Sequence, residues 1–153
     1  MKKLNIMFIL AVLTLVWGCK DSGNEEKRPS QLTEGDEARP SWTAPNYGEY
    51  EFIMSVQFRL QDELAEYVTN QDLMCAMIDG KVSAVTAPHV SEEQIYFPLS
   101  IAANGTDDMV SILYYCDRLH RIFVIEEWHQ YDSSMAPTDE NGEPYLLKFI
   151  TTE

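Results

Sequence analysis

The chain has 153 residues and is strongly acidic, with 11 lysines and arginines against 25 aspartates and glutamates and a formal net charge of −14 at pH 7. Proteins that bind phosphate backbones need clustered basic side chains, so this composition excludes nucleic acid as a predicted partner. The length leaves room for one folded domain after a linker.

The first 18 residues are organised like a secretion signal. Two lysines open the chain, and the apolar run Leu4–Trp17 is shorter than the roughly 20 residues that a membrane span needs. A small residue, Gly18, precedes Cys19, as at a signal-peptidase cleavage site. The motif Val16-Trp17-Gly18-Cys19 resembles the bacterial lipobox, which implies that Cys19 is diacylated on its sulfur and becomes the new N-terminus. The alternative is an ordinary signal peptide with an incidental cysteine.

A lipid anchor at Cys19 predicts a durable association with a membrane, because two or three acyl chains bind far more firmly than one. Removal of residues 1–18 leaves 9 basic and 25 acidic residues, a net charge of 9 − 25 = −16. The residues Lys20-Asp21 and Glu25-Glu26 resemble the acidic export tract of Bacteroidetes lipoproteins. This resemblance implies an outer-membrane location at the cell surface, and the periplasmic face is the alternative.

Residues 20–40 predict a disordered acidic tether. They contain no aromatic residue and one large aliphatic residue, Leu32, among serines, glycines, acidic residues and two prolines. Such a segment buries too little apolar surface to offset the entropy lost on ordering. The predicted organisation is therefore a signal peptide over 1–18, a lipidated tether over 19–40 and a folded domain over 41–153.

The folded part begins with a clear strand. Apolar residues alternate with mostly polar ones from Tyr50 to Leu60, the period of a half-buried strand. The following segment, Gln61–Gln71, fits either a short helix or a polar loop. Leu73–Ile78 and Lys81–Thr86 flank Asp79-Gly80, a pair typical of a type I′ turn, so they predict a tight hairpin.

The remaining strands complete an all-β domain. Ile95–Ala102 alternates again, and Pro98 predicts an edge or bulged strand because proline has no amide donor. Further strands are predicted over Met109–Cys116, Arg121–Tyr131 and Tyr145–Thr151, joined by turns at Asn104-Gly105 and 117–120 and by a polar loop over 133–144. Six or seven strands with regular turns predict an antiparallel, immunoglobulin-like β-sandwich, with a partly open barrel as the alternative.

Several segments together resemble a β-rich domain that is common in Bacteroidetes surface and secreted proteins. They are Tyr50-Glu51 with Met54, Asp72 to Lys81, Tyr96-Phe97, and Tyr114-Tyr115 before Leu119 to Phe123. That domain has an "AF-gd-xRGva" hairpin followed by a strand ending in "YYs". The resemblance covers about residues 45–144 and departs at Met77 and at Ser83-Ala84. It implies the fold and a surface location, and no reaction.

Four aromatic residues are candidates for a sugar-binding platform: Trp42, Tyr47, Trp128 and Tyr131. By alternation Trp128 and Tyr131 lie on opposite faces of the strand 121–131, both of which become polar toward its end. The alternative explanation for Trp128 is an aromatic side chain that caps the core.

Other sequence features are weaker indications of a functional site. His89, His120 and His129 lack the spacing of a zinc site, so no metal and no cofactor is predicted. The loop 132–143 echoes half of a calcium loop but lacks its twelve-residue ligand series. Ser133 or Ser134, with His129 and Asp132, supplies the residue types of a catalytic triad without a nucleophile-elbow motif.

Two cysteines remain besides Cys19. Alternation predicts that Cys75 and Cys116 both face the core, and we expect two separate thiols because nothing in the sequence makes their strands neighbours. No feature of the chain predicts an enzyme. The sequence favours a surface-tethered binding or accessory module with a glycan or outer-membrane protein as partner. The alternatives are a structural subunit of an outer-membrane complex and a glycan-acting enzyme.

Overall fold

The computed structural model describes residues 32–149. The predicted signal peptide, the predicted lipidation site Cys19 and residues 20–31 of the predicted tether lie outside the described residues, as do residues 150–153. Within the described part of the chain, no helix is long and apolar enough to cross a bilayer.

Strands dominate the secondary structure of residues 32–149. There are two short helical turns, a 3-10 turn at Tyr47–Glu49 and the α-helical turn α1 at Asp62–Ala65. The eight strands are β1 (Phe52–Leu60), β2 (Leu73–Ile78), β3 (Lys81–Thr86), β4 (His89–Val90), β5 (Ile95–Ala103), β6 (Met109–Cys116), β7 (Arg121–Gln130) and β8 (Tyr145–Leu147).

The strands form two sheets packed face to face. Sheet A has the order β4-β5-β1-β8, and sheet B has the order β3-β2-β6-β7. Every pairing is antiparallel except that of β1 with β8, which is parallel. Side chains from both sheets meet in one buried core, among them Phe58, Phe97, Ile112 and Tyr114. The predicted β-sandwich is confirmed.

The strand order is immunoglobulin-like. In an immunoglobulin variable domain, strands A, B, E and D form one sheet and strands C′, C, F and G belong to the other. Here β1, β5 and β4 take the places of B, E and D, and β3, β2, β6 and β7 take those of C′, C, F and G. Strand β8 lies beside β1, where strand A would lie, but runs parallel to it. The described strands thus form two separate sheets and not the alternative, a partly open barrel.

Tight turns close the two hairpins of sheet B. The β2–β3 turn contains Asp79 at φ 51° and Gly80 at φ 72°. Positive φ at both central residues is the requirement of a type I′ turn, so the predicted hairpin is confirmed. The β6–β7 turn spans residues 117–120 and ends at His120, which adopts a φ of 46°. Asparagine, aspartate and histidine tolerate this left-handed region better than branched residues do.

Strand β5 is an edge strand over most of its length. Pro98 lies opposite Gln57 of β1, and the N–H of Gln57 donates to the carbonyl of Pro137 at 2.8 Å instead of to β5. The amide position of Pro98 therefore points away from β1. On that side, β4 pairs with only Ile95 and Tyr96. Proline at this position removes no ladder hydrogen bond, as the sequence predicts for an edge.

The structure shows a helical turn in the ambiguous segment 61–71 and a last strand that is shorter than predicted. Within 61–71, α1 forms one turn in which Leu64 and Ala65 both donate to the carbonyl of Gln61 at 3.0 Å, and Leu64 is fully buried. The last strand is shorter than predicted, because β8 ends at Leu147 and the next amide in the ladder position, that of Phe149, donates to the Gln61 side chain at 2.7 Å.

Contacts with the sandwich begin before residue 41, the predicted start of the folded domain. The amide of Gly35 donates to the carbonyl of Leu119 at 2.7 Å, and the amide of Glu37 donates to the carbonyl of His120 at 2.9 Å. Leu32 is half-buried against the core. We call residues 32–40 the N-terminal strap. The predicted disorder of the tether does not extend through it.

Cys75 and Cys116 are free and buried, but not for the reason expected from the sequence. Their strands, β2 and β6, are neighbours, and Cys75 lies opposite Leu113. Cys116 belongs to the core between the sheets, whereas Cys75 does not, because its neighbours Met74 and Ala76 occupy the inward positions. The prediction that both thiols face the core is therefore wrong for Cys75. Opposite faces of the sheet keep the two thiols apart.

Candidate functional site

The candidate aromatic residues do not share one exposed platform. The ring of Tyr131 is 2% exposed, and its hydroxyl donates to the carbonyl of Ile101 at 3.3 Å. Burial raises the pKa of this hydroxyl. Trp42 is half-buried in the segment that precedes β1. Tyr131 therefore fills the core and offers no free surface to a ligand.

Trp128 also turns toward the core, because β7 is bulged. Five residues of β7, Ile125 to His129, lie opposite three residues of β6, Val110 to Ile112. Within this bulge the half-buried ring of Trp128 meets the core residue Phe58 edge to face, with ring centroids 4.7 Å apart. The structure thus favours the alternative explanation, an aromatic cap on the core, since edge-to-face pairs stabilise packing.

The three histidines lie in three different settings. His89 packs on Tyr96 with ring centroids 4.8 Å apart, and His129 packs on Trp128 at 5.2 Å. His120 lies 4.0 Å from the carboxylate of Glu34. Between residues 32 and 149, no three histidine, cysteine or acidic side chains converge as metal ligands would.

The residue types of a catalytic triad are present without its geometry. The hydroxyl of Ser134 donates directly to Asp132 at 2.6 Å, and the amide of Ser134 donates to the same oxygen at 2.8 Å. These hydrogen bonds from Ser134 lower the pKa of Asp132. A triad requires a histidine between serine and aspartate. Here serine and aspartate bond each other, and they form a turn.

The carboxylate of Asp139, in the acidic loop 132–143, also accepts hydrogen bonds from the backbone. It accepts the amides of Asn141 at 2.8 Å and Glu143 at 2.9 Å. The hydrogen bond from Glu143 is the main cause that lowers the pKa of Asp139. These bonds shape the loop locally, in the manner of an Asx turn.

A buried polar cluster at the start of β2 was not predicted from the sequence. The fully buried carboxylate of Asp72 accepts the hydroxyl of Tyr114 at 2.6 Å, the amide of Asp117 at 3.1 Å, and both the hydroxyl and the amide of Thr69 at 2.9 and 3.3 Å. Burial and the charge of Asp72 raise the pKa of Tyr114. Four donors satisfy the carboxylate, so the cluster fastens the 66–72 segment to the β6–β7 turn.

The strands on the outer face of sheet A carry no acidic side chain, and most of this face is open to solvent, although Ala102 within it is fully buried. Ser55 lies opposite Ser100, and Gln57 lies opposite Pro98, and the two serines and Pro98 are exposed. The outward side chains of β1, β5 and β8 are Ile53, Ser55, Gln57, Arg59, Tyr96, Pro98, Ser100, Ala102 and Leu146. Arg59 is their one ionic group, although the chain has 25 acidic residues.

The outer face of sheet B has a different character. Its outward side chains on β2, β6 and β7 are Leu73, Cys75, Met77, Ser111, Leu113, Tyr115, Ile122 and Val124. Tyr115 is 1% exposed and Cys75 is fully buried, although both point away from sheet A. This apolar face is therefore covered at Tyr115 and Cys75, whereas Val124 on β7 is 48% exposed.

An open groove of about 650 Å³ borders sheet A where β1 ends and β5 begins. Acidic side chains dominate its ionic groups, and Arg59 is the basic residue in the lining. Arg59 donates to the carbonyl of Pro144 at 3.3 Å, and Gln94 donates to Glu143 at 3.4 Å. The groove therefore brings Arg59 of the outer face together with the acidic residues Glu92, Glu93 and Glu143.

No protein-family model, curated protein or solved structure matches this chain.

Proposed function

We propose that this protein is a lipid-anchored binding module that binds a neutral glycan on the outer face of sheet A. One observation carries the proposal: a highly acidic chain leaves this mostly open face without a single carboxylate among its described strand residues. A neutral ligand fits such a face, because a charged one would meet no opposite charge except Arg59.

The chemistry of the face matches that of a sugar chain. Ser55, Ser100 and Gln57 offer hydroxyl and amide groups that both donate and accept hydrogen bonds. The ring of Tyr96, supported by His89 at 4.8 Å between centroids, offers an apolar surface for the C–H face of a sugar ring. Small polar groups beside an aromatic ring are the usual lining of a ligand site.

The anchor rests on the sequence. Cys19 follows a secretion-signal pattern and stands in a lipobox-like motif. Together with the acidic residues that follow it, this supports a lipoprotein on the outer membrane that faces the cell surface. We expect a fatty-acid probe supplied to cells to label the protein and Cys19→Ser to abolish that label. Label retained in Cys19→Ser would contradict the anchor.

An exposed apolar edge strand near Pro98 would favour the alternative, a structural subunit of an outer-membrane complex. The exposed side chains along this part of β5 are Pro98 and Ser100, while Phe97 and Leu99 point into the core. The edge thus presents proline and a hydroxyl instead of an apolar row. Proline discourages pairing with another strand, so the glycan-binding proposal has the better support.

A glycan array probed with the purified protein tests the binding face. Tyr96→Ala and Gln57→Ala each remove one element of the proposed site without touching the core. We expect each variant to weaken binding about tenfold, because truncating an anchor residue costs more than about 1 kcal/mol.

Gln130→Ala is the matched control, since it removes an exposed amide from β7 of the other sheet. It should bind as the parent protein does. Binding that both face variants leave unchanged, or binding to proteins of the outer membrane with no glycan bound, would contradict the proposal.

A further inference from the structure

We infer that the N-terminal strap, residues 32–40, is a built cover that fastens the chain across the outer face of sheet B. The covered face is apolar, and the cover leaves the outer face of sheet A as the one open to partners. This inference concerns the described residues alone and does not depend on the proposed glycan.

Hydrogen bonds fasten the strap on both sides of β6, at the edge strand β7 and at the segment that leads into the inner strand β2. At the β7 side, the carboxylate of Glu37 accepts the amide of Ile122, and Arg121 donates to the hydroxyl of Thr33 at 3.1 Å. At the β2 side, Arg39 donates to the carbonyl of Gln71. With the two backbone hydrogen bonds to the β6–β7 turn, these contacts hold the strap along its length.

Gly35 shows that the contact is built for close approach. A Cβ atom at this position would lie 2.8 Å from the carbonyl oxygen of His120 and 3.5 Å from the Cβ of Arg121. The first distance is a clash with backbone, which has little freedom to yield. Glycine is the residue that lets two backbones approach this closely. The strap therefore depends on a specific residue and is not a loose segment lying on the surface.

Two outward side chains of sheet B are buried although they point away from the core. Tyr115 lies on β6 opposite Ile122 of β7 and Leu73 of β2, in the row between the two points where the strap is fastened, and is 1% exposed. Burial is the main cause that raises the pKa of its hydroxyl, and the positive charge of Arg39 opposes that rise. Cys75 lies on the same face and is fully buried.

Docking also sets the reach of the tether, a consequence that rests on the proposed anchor. From Cys19 to Leu32 the chain has 13 residues to span, at most about 45 Å when extended. From Cys19 to Ser41 it would have 22, or about 75 Å. The docked strap keeps the domain closer to the membrane and attaches it at the end that carries the β6–β7 turn.

Thiol alkylation under native conditions tests the cover, with the full chain purified in detergent. Cys75 lies on the covered face and Cys116 lies in the core, so each protein carries its own internal control. In Gly35→Ala, a Cβ displaces the strap without changing charge. We expect Cys75 to be alkylated about tenfold faster in this variant, because a covered group reacts in proportion to the population of the open state.

Peptide mass spectrometry separates Cys75 from Cys116 and from Cys19, so the outcome is independent of lipidation. Gly48→Ala is the control variant, because a Cβ there meets only the side-chain oxygen of Asn46 at an ordinary 3.5 Å. It should alkylate at the parent rate. A Cys75 rate that Gly35→Ala leaves unchanged would overturn the inference, and so would an equal rise at Cys116, since that signals general unfolding.

Discussion

The outer faces of the two sheets differ in side-chain chemistry and in exposure to solvent. Each sheet contributes an inner face to one core, and each has an outward row of side chains on its central strands. On sheet A that row is mixed and mostly open to solvent, and its polar members Ser55, Ser100 and Gln57 lie among Ile53, Tyr96 and Pro98. On sheet B it is mostly apolar, and Tyr115 and Cys75 within it are almost fully buried. A sandwich with one apolar outer face needs a cover, and here a segment of the same chain lies across it.

The difference teaches where stability and binding reside. An apolar face that lies under other chain segments contributes burial energy at about 25 cal/mol per Å². An open polar face contributes little to folding and is free to carry recognition. Of the two outer faces, that of sheet B therefore contributes more to the free energy of folding, and that of sheet A carries the proposed binding site.

The largest expected effect compares two tyrosines at outward positions. Tyr115→Ala should lower the free energy of unfolding by about 3–5 kcal/mol, because it removes a large ring that is 1% exposed. Tyr96→Ala should lower it by less than about 1 kcal/mol, since that half-buried ring lies on the open face. Urea denaturation followed by circular dichroism measures both values. Equal losses would remove the distinction between the two faces.

A smaller effect concerns the thiol under the cover. Burial raises the pKa of Cys75 to about 12, whereas a thiol in an unfolded chain has a pKa of about 8.5. Between these values the unfolded state releases a proton that the folded state keeps. The contribution of the neutral thiol is thus complete below pH of about 8.5 and is lost as pH rises toward the folded pKa, by up to about 1.4 kcal/mol per pH unit.

Cys75→Ala should flatten this dependence. Urea denaturation between pH of about 8.5 and 11, with a reducing agent present, should give a slope of stability against pH that is shallower in the variant by up to one proton. Ser111→Ala, a change to a half-buried neighbour on β6 that does not titrate in this range, should keep the parent slope. A Cys75→Ala slope equal to that of the parent would mean that Cys75 is reachable by water in the folded protein.

Local pattern alone determined much of the fold. Period-two alternation located β1 and β5, and the Asp79-Gly80 pair located the β2–β3 hairpin, because a strand's inward and outward positions and a turn's φ angles are encoded within a few residues. Pro98 gave the edge position of β5 for the same reason. The acidic composition excluded nucleic acid as a predicted partner. The prediction of a lipid anchor at Cys19 likewise needs only the local motif.

The tertiary structure decided what depends on contacts between distant residues. Trp128 points inward because β7 has a bulge that depends on its pairing with β6. Tyr131 is buried in the core. Thr69 bonds Asp72 locally, but the burial of this carboxylate has no sequence signature, because its donors Tyr114 and Asp117 meet it only when β2 and β6 pair. The strap is the clearest case. Its composition predicts disorder, yet Gly35 and Glu37 find partners on the β6–β7 turn, some 85 residues away in the sequence. Composition reports the apolar side chains within a segment. It does not report the contacts that the segment makes with distant parts of the chain.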